Sequence, residues 1–310
     1  MPTKENLDGK LVKVAVFPLE ENDNQVAKQA QLGSAIADNI ENILGSARIA
    51  QIVDRKGVEK LQKEVALAEM NKTGSYKGPQ VADYAISGTI SNATFNGEYS
   101  PSSVGYNPAN GQITSVPAQS TFTSTATGNI KIYELPSLKV IQTIPFSAKR
   151  KISENAQDQG GLNIAGIIKV GAKEVKVRDR DDGMVRRAGA EAVDDIKVDI
   201  KNALARRGYI LEKRVLKDKS IFKINLGLSD GIKQGDKFEV QGKYEVQNQI
   251  TEESEVETRV IVTGEVTDRV DPETAWVVID DKDQVNQVRL GDVVKMKYKR
   301  GAFDFLTKWF

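Results

Sequence analysis

Five residues in the C-terminal half, Gly227-Leu228-Ser229-Asp230-Gly231, spell G-x-S-x-G, the pattern in which a serine at a sharp turn becomes an acyl-transfer nucleophile. That chemistry needs a base to take the serine proton, usually a histidine, and the 310-residue chain has none. The segment is expected to be a turn between barrel strands. A second candidate, Arg178-Asp179-Arg180-Asp181-Asp182-Gly183, carries carboxylates at near calcium-loop spacing. Counted from Asp179, however, Met184 stands where that loop needs glycine and Ala190 where it needs a bidentate glutamate. It reads as a solvated charged stretch. Cysteine is absent too, which removes thiol nucleophiles, disulfides and thiolate metal sites. Neither glycine-rich phosphate loop occurs, and the first strand-to-helix junction, PLEENDNQ from Pro18 to Gln25, is acidic. The expectation is no enzyme, no cofactor and no metal.

Charged residues make up 28% of the chain, yet 44 basic against 43 acidic side chains leave a net charge of +1. The one-sided basic field that drives phosphate-backbone binding is missing, so nucleic acid is not an expected partner. The length suits two domains, each able to bury a core without cross-links. Residues 1–10 lack the charged region and apolar core of a signal peptide, and no run is apolar enough for a spanning helix.

The elements that must position any site follow from periodicity. VKVAVFP, from Val12, is apolar on both faces and reads as an interior strand. Val26, Ala30, Gly33, Ala37, Ile40 and Leu44 then trace one helical stripe, with Gly45 placed to end it. A strand at 49–53, a helix over 58–68 and an alternating strand from Tyr84 complete a strand–helix–strand order. Residues 97–118 hold three of the nine prolines and read as a long irregular insertion. A hairpin turning at Leu135 to Leu138 follows, then a glycine-rich, mixed-charge loop over 153–183. A helix from Val185 to Arg207 is expected to stop at Gly208.

Beyond Gly208 the chain reads as short strands with Gly-Asp turns, and it contains an internal echo. Ile232-Lys233-Gln234-Gly235-Asp236-Lys237-Phe238 returns 56 positions later as Val288-Arg289-Leu290-Gly291-Asp292-Val293-Val294. Each copy is expected to turn the chain into a barrel strand, glycine supplying the unusual backbone angle and aspartate satisfying the turn. The fold class is thus α+β: an N-terminal tail at 1–10, an α/β domain at 11–207, a small β-barrel-like, SH3-like domain at 208–300, and an aromatic tail at 301–310. Partner or membrane contact is assigned to Phe303, Phe305, Leu306, Trp309 and Phe310 of that tail and to Tyr99 and Tyr106 of the insertion. Residues 97–118 and 160–183 are also the places where membrane hairpins would be inserted, but prolines interrupt the first and lysines, glutamate and arginine the second.

VAVFPLEE, ILGSARIAQIVDR, KGVEKLQKE and ADYAISGTIS, in that order, resemble the CsgG-type curli assembly and transport lipoproteins, and the hairpin GNIKIYELPSLKVIQTIPFSAKRKIS is similar to that family's late hairpin. The module at 208–300 looks more like the C-terminal β-domain of FlgT-type flagellar ring proteins. Together these resemblances imply a CsgG/TolB-N-like α/β sandwich in a periplasmic, outer-membrane-associated protein, with a signal peptide and lipidated cysteine ahead of the residues seen here. They imply a homo-oligomeric ring that meets other envelope-complex proteins, as a scaffold or assembly factor of a surface organelle or secretion machine. A secretion channel and a cytosolic small-ligand-binding protein are the alternative expectations.

Overall fold

The computed structural model describes residues 11–54, 61, 82–107, 109–155, 163–164, 168–169, 180–216, 219–247, 254–279 and 282–299. They form mixed α and β structure dominated by strands, in two parts: a helix-covered five-stranded sheet and a closed six-stranded barrel.

In the first part β1 (Val12–Val16) lies between β2 (Ala50–Ile52) and β3 (Tyr84–Ser100), parallel to both. Its Val14, Ala15 and Val16 are buried, as expected of an interior strand. Two more strands, β6 (Gln119–Glu134) and β7 (Lys139–Asn155), add antiparallel and give the order β2-β1-β3-β6-β7. The single helix expected after β1 is two helices, α1 (Gln25–Ala30) and α2 (Leu32–Ser46). Gln31 breaks them with φ 50. The break has a tertiary cause: a Cβ on Gly33 would lie 2.1 Å from the Leu19 carbonyl oxygen, so strand-exit backbone and helix backbone touch there. Leu19 N–H donates to the Gly33 carbonyl, and Gly33 N–H to Glu21 Oε1 at 2.8 Å. Asn24 caps α1 by accepting from Ala27 N–H at 2.8 Å and also donates to the Ala93 carbonyl on β3.

Helix α3 (Asp182–Ala203), capped by Asp181 accepting from Met184 N–H at 2.9 Å, covers the β6–β7 half of the sheet. Its stripe of Val185, Ala188, Ala192, Val193, Ile196 and Ile200 is buried with Ile36, Ile40 and Leu44 of α2 in one core. Such large apolar side chains contribute about 1.5–3 kcal/mol each on full burial. The helix stops at Ala203, before Gly208, which lies inside the next strand. On the opposite sheet face Ala15, Phe17, Ala85 and Leu135 pack with Leu61. The rest of the helix expected at 58–68 falls outside the described residues, as does most of 153–183. Asn163–Ile164 and Ile168–Lys169, strands β8 and β9, do pair there.

Residues 97–118 are not irregular. β4 (Ser103–Asn107) and β5 (Gln112–Val116) form a hairpin that prolongs the β3–β6 ladder. Pro101 and Pro117 sit in the gaps between the two ladders, so neither removes a strand hydrogen bond, and Pro108 lies outside the described residues.

The barrel runs β10 (Arg207–Leu216), β11 (Lys219–Ile224), β14 (Ala275–Ile279), β13 (Ser254–Val270), β12 (Lys237–Gln247) and β15 (Val293–Lys297), closing back on β10. Phe222, Phe238, Val240, Val266, Val277 and Val294 fill it. The short helix α4 (Lys282–Val285) lies between β14 and β15. The echoed heptads make the same turn. Gly235 and Gly291 have φ 86 and φ 87, and Asp236 and Asp292 each accept from the N–H three residues earlier, at 2.8 and 2.7 Å.

Candidate assembly surfaces

Gly227 to Gly231 is the turn expected from sequence, but its aspartate has a larger part than its serine. Leu228–Asp230 form one turn of 3₁₀ helix between β11 and β12. The N–H groups of Leu228 to Ile232 all donate to carbonyls and Gly227 N–H donates to Asp230 Oδ2, so no amide is left for an oxyanion. Ser229 Oγ donates to Glu273 at 3.0 Å on the exposed surface. Asp230 Oδ1 accepts instead from Arg206 Nη1, an ion pair whose side chains keep only 7% and 10% of their exposure.

Arg206 was not marked by any sequence motif. It lies in the three-residue link Leu204, Ala205, Arg206 between α3 and β10, all three buried. Its Nη2 donates to the Arg48 carbonyl after α2 at 3.0 Å, and its own carbonyl accepts from Met296 N–H. Asn202 adds two bonds to the Tyr298 backbone, at 3.1 and 2.8 Å. The sheet and the barrel are therefore joined by a built, hydrogen-bonded seam.

Among the described residues, the β4–β5 hairpin carries the most exposed large apolar side chains. Residues directly opposite in an antiparallel ladder share a face, and Val104 pairs with Ser115, Tyr106 with Ile113. Val104 is 72% exposed and Ile113 69%. Between Tyr84 and Ile130 the only charged residue is Glu98. Below the tip the outer face of the sheet is hydroxylic: Thr94 and Thr125 are hydrogen-bonded at 2.6 Å, Thr121 and Ser153 at 3.1 Å. On the core face Phe95 and Phe122 stack at 5.9 Å. Tyr99 is half-buried opposite Ser120, and Tyr106 holds a ladder position on β4. The structure thus places both tyrosines in one prolonged hairpin. Phe303, Phe305, Leu306, Trp309 and Phe310 lie outside the described residues.

Residues 220–296 match the family model of flagellar assembly protein T, C-terminal domain. The match takes in β11 to β15, five of the six barrel strands. The barrel is similar to that flagellar assembly domain. No curated protein matches the chain. The match stops short of the α/β part, where the curli-type likeness of residues 11–207 rests on sequence motifs alone.

A third surface borders the sheet edge. A trough of about 1100 Å³ is lined by Ser147 to Arg150 of β7, by Asn42 and Ser46 of α2, and by Glu191 and Asp194 of α3. Arg150 Nη1 is paired with Glu191, and Lys197 Nζ lies 3.0 Å from Asp194.

Proposed function

We propose that this protein is a non-enzymatic scaffold that helps assemble a flagellar-type surface organelle in the periplasm, at the outer membrane, as one subunit of a homo-oligomeric ring. The match of residues 220–296 to a flagellar assembly domain carries the reading. The seam through Arg206 and Asp230 supports it, since a scaffold must hold its surfaces in register. The exposed Val104 and Ile113 supply apolar contact area of the kind an interface buries. The aromatic tail, Phe303 to Phe310, is assigned a second contact.

Deleting the gene and restoring it in trans tests this directly. Loss of swimming, with basal structures lacking a ring by electron microscopy and both restored by the intact gene, is the expected result. A deletion strain that swims and builds complete basal structures would falsify the reading.

The uncharged hairpin favours one other reading, a channel in which β4–β5 enters a membrane. Its strands are five residues each, against the roughly 9–11 that a spanning strand needs. Ion conductance by purified protein in planar bilayers would support the channel, and its absence would remove it.

A further inference from the structure

The chain contains two Asn-Gly dipeptides, Asn96-Gly97 and Asn110-Gly111. In this pairing the backbone nitrogen of the second residue can attack the asparagine side chain, because glycine sets no Cβ in its path. The fold treats the two differently. Asn96 and Gly97 are held in the long β3–β6 ladder, opposite Thr123 and Phe122. Closing a ring there bends the extended backbone, so that stretch of ladder must open first. Asn110 and Gly111 lie instead in the turn between β4 and β5, both exposed. Gly111 has φ 66, and no atom lies within 4 Å of the place a Cβ would take. Its N–H makes no hydrogen bond among the described residues, so the attacking nitrogen is not held elsewhere. The Asn110 amide is held in place by Gln112: Oδ1 accepts from Gln112 N–H at 3.1 Å, and Nδ2 donates to Gln112 Oε1 at 3.2 Å. The backbone donor fixes which side-chain atom is oxygen. It also points at the oxygen on which negative charge develops when Cγ is attacked.

We propose that Asn110 is a self-modifying site, converting to aspartate and isoaspartate in the folded protein while Asn96 stays intact. Gly111 N bonds to Asn110 Cγ as its proton passes to a solvent base; the Cγ–Nδ2 bond then breaks and ammonia leaves, giving a succinimide. Water adds to either ring carbonyl and opens the ring, leaving aspartate at 110 or an isoaspartate whose main chain runs through Cγ. Water is the only co-reactant. The turn gains a carboxylate in a stretch, from Tyr84 to Ile130, where Glu98 is the only charged residue. The isoaspartate form also adds a methylene to the main chain of the turn. The hairpin that exposes Val104 and Ile113 thus passes from uncharged to anionic as a copy of the protein ages. This goes beyond the scaffold reading and does not depend on it, since a strain that swam without the gene would leave the chemistry of Asn110 untouched.

The full chain, incubated in mildly alkaline buffer, is sampled over time by peptide mass spectrometry and by an isoaspartyl methyltransferase assay, which read residues 96 and 110 separately. Asn110 is expected to convert at least about tenfold faster than Asn96, because only Asn96 must wait for local opening. Its rate should rise with pH, since the nucleophile is the deprotonated Gly111 amide. The same protein unfolded in guanidinium chloride should convert both sites at comparable rates, which makes the folded preference a measure of the turn and the ladder. Asn110→Gln is expected to suppress the acidic species that isoelectric focusing resolves as the protein ages. Equal conversion of the two sites in the folded protein overturns the proposal, and so does an Asn110 that stays intact over an interval in which the unfolded chain has reacted. An acidic species that forms as fast in Asn110→Gln as in the parent overturns it too. Should that variant not fold, the comparison of folded with unfolded parent decides by itself.

Discussion

Arg206 is followed directly by Arg207, and nothing in ALARRG tells the two apart. Burial distinguishes them: Arg206 turns in between α3 and the barrel to reach Asp230 and the Arg48 carbonyl. Removing one member of such a pair leaves a charge buried alone, so Arg206→Met is expected to cost about 3–5 kcal/mol, read as a lower urea midpoint. Combining it with Asp230→Asn should cost less than the two single changes added together. Lys295, on β15, is half-buried between Arg207 and Glu239. Burial first, and Arg207 next, push its pKa below the ordinary lysine value. The folded protein therefore binds that proton more weakly than the unfolded chain, and stability rises with pH between the folded value and the unfolded value near about 10.4. Lys295→Met should accordingly raise the urea midpoint at neutral pH, and the gain should shrink as the solution becomes alkaline. Burial pushes Tyr298 the other way, and its titration cancels when variant and parent are compared at each pH.

The two Gly-Asp turns were legible because everything they need is local: a glycine for φ near 87 and an aspartate three residues after the amide it accepts from. Gly235→Ala and Gly291→Ala should each cost about 1–2 kcal/mol, and nearly additively, because the turns share no hydrogen bond. The break at Gln31 was not legible, since it goes with the backbone contact of Leu19 on Gly33, which no local sequence pattern marks. The hairpin at 97–118 was hidden for a different reason. Proline density speaks against strands in general, and only the pairing register shows that Pro101 and Pro117 fall where no ladder bond is required. Val104→Lys with Ile113→Lys should leave stability within about 0.5 kcal/mol of the parent, because both side chains already face solvent. If the tip makes the scaffold's contacts, the same variant should sediment as a smaller species and fail to restore swimming.

For the whole molecule, a small barrel-like C-terminal part was readable from the short strands and Gly-Asp turns, and the structure closes six strands into a barrel near the C-terminus. The seam between sheet and barrel was not readable, because it is made of groups from Arg48, Asn202, Arg206, Asp230 and Tyr298, remote in sequence and unremarkable one at a time. Heating should melt sheet and barrel together in a single transition seen equally by circular dichroism and tryptophan fluorescence, Trp276 being a barrel residue, and Arg206→Met should separate the two signals. The connector through Leu204, Ala205 and Arg206 is three residues long, buried, and tied by Arg206 to both parts. A tug or twist on the barrel is thus carried straight into the sheet, and whatever grips one end of the molecule sets the heading of the other.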